Sequence, residues 1–221
     1  MNVRLIAHTP NPDFIAGRAA TICVGGDLHN VNECTKALRG ALRRGHESVV
    51  EHASFTFLVE GISRVTLAQL TRHRMASFSV ESQRYVKDSG KDIKVPNSIM
   101  ADPELADEYV DMLNAACRFY DKCLEKGVES EDARYGLLQG GTTRLVMTMN
   151  ARELLHFFKL RCCNRAQWEI RRLADEMLRQ VKEVAPVIFE KAGPGCVNHE
   201  CPEGKHTCLH PRRKGEWDAH A

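Results

Sequence analysis

The sequence has no apolar run long enough to cross a bilayer, few aromatic residues and almost no net charge. A membrane-spanning helix needs about 20 predominantly apolar residues. The opening MNVRLIAHTPNPD also lacks the apolar segment and small-residue cleavage site of a secretory signal. The 31 Lys and Arg residues nearly balance 29 Asp and Glu residues, whereas a protein that coats nucleic acid is usually strongly basic. We therefore expect a cytoplasmic protein that binds neither membranes nor nucleic acid.

Cysteine is present in an odd number, nine, which favours reduced thiols over a disulfide framework. The length of 221 residues and the 43% hydrophobic content suit one compact domain, which we place at residues 1–192. Residues 193–221 form a tail rich in Cys and His. Its Cys196, Cys201 and Cys208 have interleaved histidines and could bind zinc, but no CxxC pair is present. A disordered tail without metal is the favoured interpretation.

Hydrophobic periodicity predicts an α/β (α+β) fold, in which a mixed sheet is flanked by helices in one helix-rich domain. The predicted strands cover residues 3–6, 54–59 and 142–149. Helices are expected at 13–23, at 33–44 with Gly45 after the end, and from the cap Ser63 to about Arg74. Another helix runs from Asp102-Pro103 to Gly127. The last two begin at the caps Asn150 and Asn164, each followed three positions later by Glu or Gln.

The densest group of polar residues lies between residues 69 and 85. If the helix that begins at Ser63 extends to Arg74, then Gln69, Arg72 and His73 share one face. Serine hydroxyls and Arg84 follow in what we predict to be a short loop. Guanidinium groups and hydroxyls at a helix end suit phosphate recognition, although an isolated Arg-His-Arg is more often a solvated helix end.

This segment resembles the signature of the flavin-dependent thymidylate synthases, Arg-His-Arg-x-x-Ser-x-Asn-x-x-Ser-x-Arg. The matching residues are Arg72, His73, Arg74, Ser77, Ser82 and Arg84. Ser79 stands where the family has Asn, and Val80 stands where many members have Glu or Gln. A valine side chain has no polar atom, so a nucleotide contact at this position must come from the main chain.

Further stretches extend the resemblance from about residue 13 to residue 190. Residues 45–52, GHESVVEH, are similar to the family's Gly-His-Glu-Ser/Thr-x-x-Glu-His stretch. Asn150-Ala151-Arg152 followed by His156 is similar to the start of the flavin-binding helix. Leu160-Arg161 and the AQWEI of residues 166–170 match the next block.

The resemblance implies an enzyme that converts dUMP to dTMP, with 5,10-methylenetetrahydrofolate as the carbon donor and NADPH-reduced FAD as the source of hydride. It implies a homotetramer with shared sites, in which Arg161 lies beside the uracil and favours ionisation at N3. His46 is a candidate contact for folate or nicotinamide. The implied dUMP residues are Gln69, Leu70, Thr71, Arg72, Ser82, Gln83, Arg84, Arg144 and Arg161. The implied FAD residues are Ser48, Arg72, His73, Arg74, Val80, Asn150, Ala151, Arg152 and His156.

Several of these residues also have ordinary structural interpretations. His46 could satisfy carbonyls at a helix end, Asn150 is first a helix cap, Arg144 could face solvent, and Arg161 could pair with an acid. For the whole chain, the alternative is a non-enzymatic nucleotide- or RNA-binding module with a zinc-knuckle-like tail. A flavoprotein reductase with another acceptor also stays open. The 6% aromatic content offers little base stacking, which disfavours the RNA-binding module.

Overall fold

The computed structural model describes residues 1–87, 91–197 and 201–213. No helix in these ranges is long and apolar enough to cross a membrane. The strands are β1 (Asn2–His8), β2 (Ser54–Ser63), β3 (Ala76–Val80) and β4 (Thr142–Asn150). The helices are α1 (Pro12–Ile22), α2 (Val31–Arg43), α3 (Arg64–Leu70), α4 (Asn97–Met100), α5 (Pro103–Glu125), α6 (Ser130–Ala133), α7 (Ala151–Arg161) and α8 (Trp168–Val184).

The four strands form one sheet in the order β1-β2-β4-β3, and the sheet is antiparallel rather than mixed as predicted. Thr56 and Thr148 share a hydrogen bond of 3.0 Å, and the N–H of Ala151 donates to the carbonyl of Ala53 at 2.7 Å. Residue numbers therefore rise along β2 as they fall along β4, which defines antiparallel pairing. Periodicity predicts strands but not their relative directions, which depend on how the chain returns between them.

The chain packs as two compact units. The first contains residues 1–2, 59–71 and 79–145, and the second contains residues 3–58, 72–78 and 146–221. Strands β2, β3 and β4 each contribute residues to both units. The described residues of the tail belong to the second unit, and a domain boundary at residue 192 stays a prediction.

The core of the second unit is built on aromatic rings. Phe189 contacts Phe55 and Phe158 edge to face, with ring centroids 5.4 and 5.9 Å apart. All three are fully buried, and each such side chain contributes about 1.5–3 kcal/mol relative to an exposed one. Helix α8 adds an apolar stripe to this core, and the central residues of the stripe are also fully buried: Ile170, Leu173, Met177 and Val181.

Two helix ends follow the sequence signals, and the predicted start of α8 does not. Gly45 follows α2 with a φ of 75°, as expected of a glycine just beyond a helix. The Asn150 side chain accepts a hydrogen bond from the N–H of Glu153, so the predicted cap of α7 is confirmed. The predicted cap at Asn164 is wrong, since Gln167 caps α8 and the Asn164 side chain instead donates to the carbonyl of His210 at 2.8 Å.

In helix α5 of the first unit, the apolar side chains that recur every three or four residues form a stripe that is largely uncovered. Asp102 caps it by accepting from two main-chain N–H groups, and Gly127 follows its end. Within the stripe, Leu105 is 48% exposed, Met112 49% and Phe119 56%. The only buried residue of this 23-residue helix is Tyr120. The apolar periodicity thus predicts the helix correctly, but the chain itself does not bury the stripe.

The tail is joined to the second unit by a buried ion pair. Arg212 donates to both carboxylate oxygens of Asp175 at 2.7 and 2.9 Å, and also to the carbonyl of Cys162 at 2.9 Å. Both charged side chains are 5% exposed. The disordered tail favoured from the sequence therefore does not apply to residues 201–213, because a buried, paired guanidinium holds this segment against α7 and α8.

Candidate functional site

The segment that carries the signature leaves helix α3 earlier than predicted. The helix ends at Leu70. Thr71 follows, and its N–H and its hydroxyl both donate to the carbonyl of Leu67. The predicted extension to Arg74 is therefore wrong. The helical face predicted to carry Gln69, Arg72 and His73 is not formed.

The residues after the Arg-His-Arg triplet form strand β3 rather than the predicted loop. Ser77 and Ser79 are exposed, whereas Ala76, Phe78 and Val80 are half-buried. This alternation of period two is the pattern of a strand. The predicted loop is therefore wrong, because a stretch of five residues with two serines matches both a strand and a polar loop.

His73 lies in the second unit between a carboxylate and a guanidinium. Its Nδ1 is 2.9 Å from Oε1 of Glu153, and its Nε2 accepts a hydrogen bond of 3.1 Å from Nε of Arg161. The ring is 5% exposed and packs edge to face against Phe157, with centroids 4.9 Å apart. The ring of His156 is 6.0 Å away. Arg161 and His156, which are also predicted binding residues, thus both lie beside His73.

Burial lowers the pKa of His73, and the positive charge of Arg161 lowers it further, although the Glu153 carboxylate acts in the opposite direction. The imidazole is therefore neutral at physiological pH. Burial also lowers the pKa of Arg161, with a second contribution from Arg72, but a guanidinium stays charged at any working pH. The structure therefore holds a positive charge at Arg161 in a partly desolvated place.

The arginine in the first turn of α7 is paired with two acids from an earlier segment of the chain. Arg152 is exposed and donates to Oε1 of Glu51, and its Nε is 3.9 Å from a carboxylate oxygen of Glu47. The Glu51 carboxylate raises the pKa of Arg152. The N–H of Ala151 is already bonded to the carbonyl of Ala53, so part of this helix N-terminus is satisfied by the protein.

A cavity of about 780 Å³ opens beside His46 and Ser48 in the second unit. Helices α1 and α2 form its walls, with apolar residues such as Val24 and Val49 and cationic residues. Those cationic side chains are Lys36, Arg43 and Arg44. An apolar wall with clustered positive charges suits a large anionic ligand.

In the first unit, two of the predicted dUMP arginines are paired with carboxylates. Arg84 donates to Glu131, and Nε of Arg144 donates to Glu81 at 2.6 Å. The hydroxyl of Ser82 accepts from the N–H of Arg84 at 3.2 Å. Arg84 also borders a cavity of about 350 Å³, whose other lining residues are Glu131, Asp132, Arg134 and Tyr135. Both guanidinium groups are more than half exposed and accessible to an anion.

Two predicted binding positions have fully buried side chains. Leu70 and Ala151 are 0% exposed, so a ligand contact at either position would use the main chain. Thr71, Arg72 and Arg74 are exposed, as is His156. Gln69, Val80 and Gln83 are half-buried in the first unit.

The sequence interpretation missed the acidic partners of these arginines and of His73. Glu153 was assigned only to the capping box, and Glu47, Glu51, Glu81 and Glu131 had no role. Glu47, Glu51, Glu81 and Glu153 each lie within three residues of a predicted binding residue, which is their one signal, whereas Glu131 has none. Which arginine or histidine each of these acids contacts depends on the tertiary fold.

The tail does not form a metal site within the described chain. Among the residues that the structure describes, no group of three His, Cys, Asp or Glu side chains could hold a metal ion. His199, one of the interleaved histidines, lies outside those residues. Burial raises the pKa of the Cys163 thiol, and the nearby thiols of Cys196 and Cys208 raise it further.

Comparison with known families gives one match along most of the chain. The family described as thymidylate synthase complementing protein matches residues 4–187. The flavin-dependent thymidylate synthase of Geobacter sulfurreducens is 48% identical over 217 residues, covering 94% of each chain. That of Pyrococcus horikoshii is 42% identical over 219 residues, covering 92% of this chain and 90% of its own.

Solved structures agree with these relatives. The UMP/dUMP methylase of Streptomyces cacaoi, bound to 5-Br dUMP, superposes with a TM-score of 0.74 at 26% identity, covering 86% of this chain and 93% of its own. The flavin-dependent thymidylate synthase of Helicobacter pylori, in complex with FAD and dUMP, gives a TM-score of 0.71 at 25% identity, covering 87% of this chain and 100% of its own.

Proposed function

The chain belongs to the flavin-dependent thymidylate synthases, and we propose that Arg84 and Arg144 of the first unit bind the dUMP phosphate and that most of the FAD contacts lie in the second unit. The enzyme converts dUMP to dTMP, with 5,10-methylenetetrahydrofolate giving the carbon and NADPH-reduced FAD giving the hydride. The alternative of a non-enzymatic RNA-binding module has no support among the relatives. A reducing cytoplasm suits the nine free thiols.

We propose that FAD binds in the cavity beside His46 and Ser48 and extends toward the start of α7. The volume of about 780 Å³ is in the range of cofactor sites, and the cationic walls suit a diphosphate. Arg152 is paired with Glu47 and Glu51, which lie next to Ser48 or three residues from it in the sequence. Both ring nitrogens of His73 have protein partners, so its flavin contact would use the main chain or the ring edge. The remaining proposed FAD residues are Arg72, Arg74, Val80, Asn150, Ala151 and His156.

The proposed dUMP phosphate site uses the exposed guanidinium groups of Arg84 and Arg144. Each is paired with a carboxylate, and a phosphate would replace Glu131 and Glu81 as the partner because it offers more acceptor oxygens. Such surface pairs are weak, so the exchange costs little. Gln69, Leu70, Thr71, Ser82 and Gln83 complete the proposed contacts in the first unit. Arg72 and Arg161, which belong to the second unit, are also proposed dUMP residues.

Arg161 has the proposed chemical role. When bound, the flavin supplies the hydride, and the protein binds and orients the substrate. A guanidinium beside the uracil favours ionisation at N3 because it remains positively charged. The observation that supports this role best is the anchoring of Arg161 by buried His73, which holds this charge in a partly desolvated place.

We further propose a homotetramer with shared sites. The uncovered apolar stripe of α5 supports burial against another copy, since an exposed apolar face of this kind is typical of an interface. His46 remains the proposed contact for folate or nicotinamide, and it borders the cavity proposed for FAD.

Anaerobic flavin oxidation tests the proposed function. The purified protein is expected to be yellow, or to take up FAD stoichiometrically, with absorbance in the region of 450 nm. With reduced flavin and methylenetetrahydrofolate, adding dUMP should oxidise the flavin and yield dTMP in equal amount. A protein that binds no FAD, or that oxidises flavin without forming dTMP, would contradict the proposal.

A further inference from the structure

Glu153, His73 and Arg161 form a continuous hydrogen-bonded row in the second unit. Nε of Arg161 lies 3.1 Å from Nε2 of His73, and Nδ1 of His73 lies 2.9 Å from Oε1 of Glu153. The side chains of His73 and Glu153 are 4% and 11% exposed. His73 and Glu153 therefore depend on their neighbours rather than on water.

The donors and acceptors determine which tautomer of His73 is present. Arginine has only N–H groups and cannot accept a hydrogen bond, so Nε2 of His73 must present its lone pair. The ring proton then lies on Nδ1 and is donated to the Glu153 carboxylate. Only the neutral Nδ1–H form satisfies both neighbours. The opposite tautomer would set two donors against each other at Arg161.

Helix α7 places Glu153 and Arg161 beside His73 through its cap and its periodicity. Asn150 caps α7 by accepting from the N–H of Glu153, which fixes Glu153 in the first turn. Phe157 follows four residues later on the same face, and its ring packs on His73. Arg161 follows after four more residues. One face of α7 therefore carries the Glu153 carboxylate, the Phe157 ring and the Arg161 guanidinium, which all contact the imidazole of His73.

We infer that Glu153 is a positioning residue for the reaction: it holds His73 as the Nδ1–H tautomer, and His73 then anchors the Arg161 guanidinium through Nε. This inference rests on the proposed role of Arg161 beside the uracil. An anchored Nε fixes the plane of the guanidinium fork, and misplacing a charge-stabilising group by about 1 Å can cost on the order of a hundredfold in rate.

Lowering the pH should break the hydrogen-bonded row of Glu153, His73 and Arg161 at His73. Protonated His73 carries an N–H at Nε2, which cannot accept from Arg161. The charged groups around the ring are Glu153, Arg161, the neighbouring His156, and Arg72 beside Arg161. Burial and Arg161 lower the pKa of His73, and Glu153 raises it. Replacing Glu153 should therefore lower the pKa of His73 and move the acid limb of the rate to lower pH.

The first test compares Glu153→Ala and Glu153→Gln in the FAD-bound enzyme. We expect Glu153→Ala to lower the single-turnover rate roughly tenfold or more, with FAD content and the KM for dUMP within about threefold. The acid limb of its pH profile should move to lower pH. Glu153→Gln should recover part of the rate, because its amide oxygen can still accept from Nδ1. Glu183→Ala, which removes an exposed acid of α8, serves as the matched control and should leave rate and profile unchanged.

A loss of rate with an unmoved acid limb, or an unchanged rate, would overturn the inference. So would equal losses of FAD and of rate, which indicate a structural role only. The second test is independent of catalysis: ring-¹⁵N spectra of histidine, assigned with His73→Gln, should show the Nδ1–H form in the wild type and its loss in Glu153→Ala. An Nε2–H form in the wild type would refute the positioning. Absence of dTMP formation by the wild type would instead refute the proposed function.

Discussion

At the scale of single residues, arginine and lysine are not equivalent in this protein. A guanidinium offers a planar fork with Nε as a separate donor, and the Nε of Arg161 is the atom that contacts His73. A lysine offers one ammonium group on a flexible stem. A site that depends on orientation should therefore distinguish the two residues even though their charges are equal.

We expect Arg161→Lys to keep FAD and dUMP bound but to lower the single-turnover rate of flavin oxidation by roughly a hundredfold. In the proposed mechanism the charge at N3 develops during the reaction, so its stabilisation should affect the transition state more than ground-state binding. Stopped-flow measurements and dUMP titrations on the same protein separate the two effects. The matched control is Arg179→Lys, a half-buried arginine of α8 that is also paired with carboxylates. An unchanged rate in Arg161→Lys would remove this residue from the catalytic role.

Arg84 is expected to bind substrate rather than cofactor. Arg84→Ala should weaken dUMP binding at least roughly tenfold, since a hydrogen bond to a charged group contributes about 1.5–3 kcal/mol. FAD content should remain within about twofold. Glu131→Gln removes the present partner of Arg84 and should bind dUMP no more weakly than the wild type. Equal loss of both ligands in Arg84→Ala would show that the residue is structural.

At the scale of secondary structure, helix α7 carries residues proposed for flavin, for positioning and for catalysis. Its start depends on Asn150, whose side chain accepts from the N–H of Glu153 at 2.9 Å. The cap therefore stabilises the helix and also places the carboxylate that holds His73. A defect at the cap should affect stability and activity together.

We expect Asn150→Ala to cost about 0.5–2 kcal/mol in the free energy of unfolding. For a chain of this size, each kcal/mol lowers the Tm by about 2–4 °C, which calorimetry of the FAD-free protein can measure. Asn150→Asp keeps an acceptor at the cap and should lie within about 0.5 kcal/mol of the wild type. A Tm for Asn150→Ala equal to that of the wild type would mean that the cap contributes nothing.

At the scale of the whole molecule, the tail contacts residues that are distant from it in the sequence, and the uncovered stripe of α5 is proposed to contact another copy of the chain. Arg212 in the tail bonds to Asp175 of α8 and to the carbonyl of Cys162, which directly follows Arg161. The pair is buried, so loss of one partner leaves an uncompensated charge. The tail therefore stabilises the end of the helix that carries Arg161.

Arg212→Ala should lower the free energy of unfolding by about 3–5 kcal/mol, because Asp175 stays buried without its partner. The double replacement of Arg212→Met with Asp175→Leu should recover most of that loss, since apolar side chains can replace a buried ion pair at little cost. Denaturant titration of both proteins measures the difference. A single variant within about 0.5 kcal/mol of the wild type would contradict the buried pair.

The proposed tetramer predicts that Phe119→Glu dissociates the protein. Phe119 lies on the uncovered stripe of α5 and is 56% exposed in the single chain. A carboxylate buried at an interface is costly, so the assembly should shift to smaller species in sedimentation velocity. Asn114→Glu, also exposed on α5 but off the stripe, should leave the assembly intact. An unchanged mass for Phe119→Glu would show that this stripe is not the contact between copies.

The sequence by itself determined the local features of this protein and the residue types of its site. Ser63, Asp102 and Asn150 form the predicted caps, and Gly45 and Gly127 follow helices with positive φ, because these effects act over a few neighbouring residues. The alternation in β2 is likewise visible in the sequence, where Phe55, Phe57 and Val59 occupy every second position and are the buried residues. The resemblance to known enzymes supplied the arginines and histidines, again as a property of the sequence.

Only the tertiary structure decided which groups meet. His73 and Glu153 are 80 positions apart, and Arg212 and Asp175 are 37 apart, so no local pattern relates them. The early end of α3 and the antiparallel direction of the sheet were also not predicted. The free energy of a long-range contact depends on burial and on the partner's position, and neither is encoded in the spacing of a motif. The arginine at residue 161 was therefore predictable, but the hydrogen bonds that orient it were not.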